Sequence, residues 1–371
     1  MKILLSLDTS ALYSSNPFDT ELIRSLELAG LSVDHGKFRL AQIHRQWNIV
    51  HFHWPELLMA DMGIEPAALM WLESKLASLK EAGSRLVMTV HNAGPHYVSD
   101  SRYDQLYRMM MAAMDGYIHL GPASESVVRQ LYPAEVGDKP HSVIPHGHYA
   151  VYGEMLSKPA AREQLGLSEK PTALVLGSLR DPEEYKLCLE FAKGLAASGR
   201  QLVFSGKLWY RNSGFSRLPK PLVSFADQVR PKWHEWVLGR QESVVLRPGP
   251  IAYDQMRFVV SAADVVLIPR LKTLNSGTLP LGFTYGAVVL GPDTGNVGAL
   301  LRANGNPAFA VNERSAGQIK EYWDAAFAAA EQGVGKKNRQ VAVDEWSWER
   351  IGVMHREFYE MLCNRGDTVD D

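Results

Sequence analysis

Ser261-Ala262-Ala263-Asp264-Val265-Val266-Leu267-Ile268-Pro269 and Gly286-Ala287-Val288-Val289-Leu290-Gly291-Pro292 bracket the stretch Leu274-Asn275-Ser276-Gly277-Thr278-Leu279-Pro280-Leu281-Gly282-Phe283-Thr284-Tyr285. The two flanking runs are short and rich in Val, Ile and Leu, the composition of strands covered on both faces in a parallel sheet. Successive parallel strands need a crossover, usually a helix, and Ser276, Gly277 and Thr278 fall where that helix begins. Spare backbone amides at such a start, with two hydroxyls beside them, suit phosphate oxygens. An ordinary N-cap by Asn275 or Ser276 explains the same residues, and the two readings are compatible.

The same rhythm runs outward in both directions. On the C-terminal side of the chain it predicts strands at 172–177, 201–205, 243–247, 264–269, 287–291 and 309–311. Towards the N-terminus, strands are expected at 2–7, 48–53, 85–91, 116–120 and 142–145, separated by helices at 19–29, 66–82, 102–114 and 124–131. A polar, charged stretch at 158–170 separates the two series. This predicts an α/β protein of two Rossmann-like, doubly wound domains facing a central cleft, spanning 1–155 and 156–342. Residues 343–371 are expected to form a last helix, read over Val343–Cys363, that returns towards the N-terminal domain.

Composition narrows the function. The chain has 371 residues, with 39 Lys and Arg against 41 Asp and Glu, a formal net charge of −2. No global basic field draws it to nucleic acid. Its two cysteines, Cys188 and Cys363, are too far apart for a metal-ligand spacing and point to a reducing, cytoplasmic setting. The first apolar run ends at Asp8, too soon for a signal peptide, and no run approaches the roughly 18 residues of a spanning helix. Membrane contact is therefore expected to be peripheral. The sequence lacks a Gly-x-x-x-x-Gly-Lys-Ser/Thr loop, a Gly-x-Gly-x-x-Gly turn, a Gly-x-Ser-x-Gly elbow and His-Glu-x-x-His, which disfavours common kinases, dehydrogenases, hydrolases and zincins.

Two clusters remain as candidate chemistry. In the second half, Leu176-Gly177-Ser178-Leu179-Arg180 ends a strand and Lys186 follows in the next helix, two cations that suit a diphosphate. Surface solvation, with Glu183 and Glu184 as neighbours, is the plain alternative. In the first half lie ten of the twelve histidines. Val50-His51-Phe52-His53-Trp54-Pro55-Glu56, Thr89-Val90-His91-Asn92-Ala93-Gly94-Pro95-His96 and Ile144-Pro145-His146 each close a strand, where ligands of such sheets bind. His51 and His53 share a strand face. A zinc site is the rival reading, but no acidic ligand accompanies the histidines. The loop from Thr9 to Phe18, with Ser15 and Asn16, either admits a ligand or caps a helix whose first position is Pro17. The aromatic and basic segment Lys207–Leu222 is expected to be an inserted loop.

Taken together, Gly177-x-x-Arg180 with Tyr185-Lys186, Ser261–Pro269, Asn275-Ser276-Gly277, Gly286–Pro292 and the closing Trp346-Ser347-Trp348-Glu349-Arg350-Ile351 resemble the C-terminal half of GT-B glycosyltransferases of the family-4 type. The histidine segments resemble a bacterial exopolysaccharide subgroup that includes mannosyltransferases acting on lipid-linked oligosaccharides. The usual pair of glutamates eight residues apart around the phosphate-binding helix is missing. The resemblance implies a metal-independent transferase with no cofactor, using a nucleotide-diphosphate sugar, GDP-mannose or a UDP-sugar, and a lipid-linked or oligosaccharide acceptor at the inner face of the plasma membrane. It puts Arg180, Lys186, Asn275, Ser276, Gly277 and Thr278 on the donor diphosphate, and Ser15, Asn16, His51, His53 and His146 on the acceptor side. An inverting reaction needs a base, for which Glu56, His91 and His96 are candidates. In a retaining enzyme His91 instead holds a donor hydroxyl. A nucleotide-sugar 2-epimerase of the same fold and a non-catalytic sugar-binding scaffold are the alternatives.

Overall fold

The apolar runs become strands of two parallel sheets in a computed structural model that describes residues 1–7, 17–36, 47–94, 101–196, 198–208 and 232–365. The chain divides into two compact units, Met1–Gly147 with Glu345–Asp371, and His148–Asp344.

The first unit holds β1 (Lys2–Leu5), β2 (Ser32–His35), β3 (Ile49–Phe52), β4 (Arg85–Val90), β5 (Gly116–His119) and β6 (His141–Val143), in the order β2-β1-β3-β4-β5-β6. β3 and β5 are buried throughout, as expected for strands covered on both faces. The pattern of apolar residues does not reveal β2, because Ser32-Val33-Asp34-His35 has one aliphatic side chain. It forms at the sheet edge by pairing with β1, Lys2 to Ser32 through Leu5 to His35.

The second unit holds β7 (Thr172–Leu176), β8 (Gln201–Gly206), β9 (Val244–Pro248), β10 (Val265–Leu267), β11 (Val288–Pro292) and β12 (Ala308–Phe309), in the order β12-β11-β10-β7-β8-β9. Its core gathers Val175, Leu187, Phe191, Leu267, Leu290 and Trp323. In both sheets the first strand lies inside, and the chain builds first to one side of it and then to the other. The switch points are therefore β1 beside β3 and β7 beside β10, and the crevice at their carboxyl ends is where such sheets bind ligands.

Two segments differ from their reading in sequence. The polar stretch after residue 157 is a helix, Lys158–Leu165, capped by Ser157 and stopped by Gly166 in the left-handed region. Its charges are used internally: Lys158 Nζ and Arg162 Nη2 each lie 2.6 Å from Asp264, which also accepts from the Thr172 amide at 2.7 Å. That triple contact ties the helix to the entry of β7 and β10. The C-terminal stretch is two helices, Val334–Asp344 and Trp348–Asn364, with Ser347 capping the second. The second supplies Trp348, Ile351, Phe358, Tyr359 and Leu362 to the core of the first unit.

Candidate active site

In the second unit the switch point is built from the turn after β7 and the turn after β10. Gly177 leaves β7 at φ 90°, a backbone conformation that side chains other than glycine rarely adopt. The chain then reaches Asp181, whose carboxylate accepts from the Glu184 amide at 2.9 Å and starts the helix Pro182–Gly194. With Pro182 at the first helical position, Glu184 is directed back under the turn. Its carboxylate accepts from the Arg180 amide at 2.7 Å and pairs with Arg270 Nη1 at 2.7 Å. Arg270 follows β10 by three residues. Burial raises the Glu184 carboxyl above the usual carboxylate range, while Arg270 and the Arg180 amide oppose that rise. A buried carboxylate so held is a rigid mount for a guanidinium, and the fork of Arg270 has donors beyond the one it gives Glu184.

Further along the chain after β10 comes the turn at 274–277. The helix begins at Thr278 and runs to Thr284, with Gly277 before it and no side-chain cap. Asn275 Oδ1 accepts from Asn296 Nδ2 at 2.7 Å, and Thr273 Oγ1 donates to the Asn275 carbonyl at 2.6 Å, so the turn is held from both sides. A Cβ at Gly277 would come within 2.7 Å of the Tyr149 hydroxyl, which explains glycine there. Lys186 is placed otherwise than Arg180: its side chain is 73% exposed and lies 3.8 Å from Glu190, one helical turn on.

In the first unit, three strand ends bring histidines to one aromatic hub, Phe18. Its ring centroid lies 5.9 Å from His53, 5.3 Å from His91 and 4.8 Å from His146, with Trp54 and Trp348 also packed on it. His53 Nδ1 and His91 Nε2 are 2.9 Å apart, and His91 stacks on Trp54 at 3.9 Å. His51 is fully buried, one ring nitrogen 2.7 Å from Tyr359 Oη and the other 2.7 Å from Thr89 Oγ1. Burial, reinforced by neighbouring imidazoles, holds both His51 and His53 well below the ordinary histidine range, so both are neutral near neutral pH. Burial also brings His146 down to about 4, against a hydrogen bond to the Gly147 carbonyl at 2.8 Å.

His53 Nε2 is buried and has no hydrogen-bond partner among the described residues. An orphaned lone pair is tolerated better than an orphaned N–H. A His53 that keeps its proton on Nδ1 donates to His91 Nε2 and leaves only a lone pair unpaired, which is the arrangement the geometry favours. Glu56 sits in the short helix Pro55–Leu58 after β3 and accepts from the Tyr107 hydroxyl at 2.7 Å. Burial and the Glu56 carboxylate together raise the Tyr107 hydroxyl, keeping it protonated as a donor.

Thus the structure brings His53, His91 and His146 together around Phe18, while His51 lies in the interior and Glu56 is held by Tyr107. Arg180 joins Glu184 through its backbone. Ser15, Asn16 and His96 lie outside the described residues, as does most of Lys207–Leu222. The sequence alone does not single out Arg270 or Phe18, and it offers Glu184 only as a solvated neighbour of the two cations. The position of Arg270, just past a strand's carboxyl end, was the available signal for the first.

No family model matches the chain. It is 24% identical over 376 residues to a GDP-mannose:glycolipid 4-beta-D-mannosyltransferase of Xanthomonas campestris pv. campestris, covering 96% of this chain and 91% of that one. The structure resembles sucrose-phosphate synthase from Thermosynechococcus elongatus, with TM-score 0.73, 16% identity and coverage of 98% and 99% of the two chains. It also resembles Anabaena HepE in complex with UDP-glucose (TM-score 0.65, 13% identity, 97% and 100% coverage) and WaaG, a glycosyltransferase of lipopolysaccharide biosynthesis (0.55, 15%, 98% and 99%). Two parallel six-stranded sheets with these likenesses define the GT-B fold. The chain is a GT-B glycosyltransferase, with relatives among mannosyltransferases along nearly its whole length.

Proposed function

We propose that this enzyme transfers mannose from GDP-mannose to a glycolipid acceptor during assembly of a bacterial surface or exopolysaccharide, working at the cytoplasmic face of the membrane. The carrying observation is the end-to-end alignment with relatives of that named activity, which spans both units rather than a shared nucleotide-binding half. No helix among the described residues is long and apolar enough to cross a membrane, so the reading takes membrane contact to be peripheral.

In this reading the second unit holds the donor. Arg270, mounted on Glu184, is the cation that accompanies Arg180 at the diphosphate, with the Ser276–Thr278 turn beside them, and Lys186 plays a minor part. Fixed guanidinium donors stabilise the departing diphosphate as charge develops on it. They do so without a metal ion, and excess EDTA is expected to leave turnover unchanged. A β-linked product from an α-linked donor means inversion at the anomeric carbon, and a single displacement needs a base for the acceptor hydroxyl. Glu56 is that base, and His91, paired with His53, is a hydrogen-bond donor to the sugar or acceptor.

The test is incubation of the full chain with GDP-mannose and membrane glycolipid extract, with mass spectrometry of the lipid products. A gain of one hexose with GDP-mannose, and not with UDP-glucose, supports the reading. Transfer from UDP-sugars alone overturns the donor assignment.

A further inference from the structure

The donor-side unit carries a surface that transfer of a sugar to a soluble acceptor would not require. Residues 232–239 form a helix between the inserted segment and β9. One side of it is anchored: Leu238 is fully buried, and His234 stacks on Tyr185 with ring centroids 3.9 Å apart and its Nδ1 3.2 Å from the Leu208 carbonyl. The opposite side is exposed. Trp233 and Trp236 are 58% and 51% exposed and stack on each other at 5.0 Å, and the Arg240 guanidinium lies 4.7 Å over the Trp236 ring. At about 100° per residue, Lys232, Trp233, Trp236 and Arg240 fall within one arc of about 100°, with His234 and Leu238 opposite.

Two indoles held in solvent forgo the burial they would find in a core, where aromatic side chains contribute most. Paired indoles flanked by Lys and Arg are the composition of a segment that lies in the headgroup region of a bilayer, indoles at the acyl boundary and cations on anionic lipid. The surrounding sequence has the matching charge: from Lys207 to Arg240 there are seven Lys and Arg against two acids, Asp227 and Glu235.

We propose that Lys232, Trp233, Trp236 and Arg240 seat the donor-side unit on an anionic membrane surface. This rests on the reading that the acceptor is a glycolipid, since a membrane-borne acceptor is what such a seat would bring within reach.

The experiment is sedimentation of the full chain with vesicles of phosphatidylcholine alone and of phosphatidylcholine with one-third phosphatidylglycerol. Binding is expected to the anionic vesicles, to weaken with salt, and to fall about tenfold or more in Trp233→Ala/Trp236→Ala, whose side chains supply the inserted area. Arg240→Glu is expected to weaken it by at least about fivefold, the worth of one basic residue at an anionic surface. Melting temperature and hydrolysis of GDP-mannose in vesicle-free solution are expected to stay at wild-type values in both variants, which separates this surface from the donor site. Variants that sediment like wild type would overturn the proposal. So would a wild-type chain that ignores both vesicles, or one retained through these tryptophans on immobilised oligosaccharide but not on lipid. Loss of GDP-mannose turnover in the wild type would sink the donor reading while leaving the vesicle result to stand or fall separately.

Discussion

Among the described residues the two units have the same number of parallel strands and the same kind of switch point, yet their carboxyl ends are chemically opposite. Around Phe18 the first unit collects imidazoles and indoles, with Glu56 the nearby carboxylate two residues after Trp54. After β7 and β10 the second unit collects guanidinium, a buried carboxylate and a polar turn. The architecture decides where a ligand sits and leaves the chemistry to a few strand-end residues. A dianionic diphosphate calls for fixed cations, whereas an acceptor hydroxyl calls for groups that accept or donate single protons.

If that division is right, the largest effect belongs to Arg270. Arg270→Ala is expected to abolish donor binding and also to destabilise the second unit by about 3–5 kcal/mol, because Glu184 is left buried without its partner. Chemical denaturation followed alongside GDP binding separates the two losses. The gentler Arg270→Lys keeps the charge and removes the fork, and is expected to weaken GDP binding about tenfold with little change in stability.

On the other side of the comparison, Glu56→Gln still accepts from Tyr107 and is expected to fold normally. Its kcat for mannosyl transfer should fall by about 100-fold or more, with the KM for GDP-mannose near wild type. A variant that instead loses donor affinity would break the assignment of acid–base work to the first unit.

Acid should also tell the units apart. His146 and His355 are brought by burial to about 4 in the folded protein, well below the ordinary value of about 6.5. Between these values the unfolded chain binds protons that the folded one refuses, so stability falls as pH drops from about 6.5 to 4, by about 1.4 kcal/mol per pH unit for each such histidine. Above about pH 6.5 the penalty vanishes. The second unit contains only His148 and His234. Hydrogen exchange at pH 5 is therefore expected to show the first unit opening first, and simultaneous loss of both units would count against this account.

The smallest effect is expected at Lys186. An exposed lysine paired with Glu190 contributes about 0–1 kcal/mol, so Lys186→Ala should stay within about fivefold of wild type in donor affinity.

Much of this was legible in sequence because parallel strands are buried on both faces and therefore read as continuous apolar runs, as at Val265–Leu267 and Val288–Pro292. β2 was not, since an edge strand with a single valine is made by its partner rather than by its own composition. The helix Lys158–Leu165 was hidden because its charges, which suggest solvent, serve Asp264 about a hundred residues away. The site divided the same way. The histidines announced themselves by their place at strand ends, and the structure joins His53 to His91. That Arg270 pairs with Glu184 and Lys186 with Glu190 could not be read, because local spacing carries nothing about either pairing. Glu184 looked like a solvated neighbour of Arg180, whereas helix capping by Asp181 turns it inward onto Arg270.

The central claim is that the Arg180–Glu184–Arg270 cluster carries the donor diphosphate. Calorimetric titration of GDP into the wild-type chain, Arg270→Lys and Lys186→Ala tests it most directly. The account predicts affinity about tenfold weaker for Arg270→Lys and close to wild type for Lys186→Ala. The reverse order, with Lys186→Ala crippled and Arg270→Lys unaffected, would contradict it.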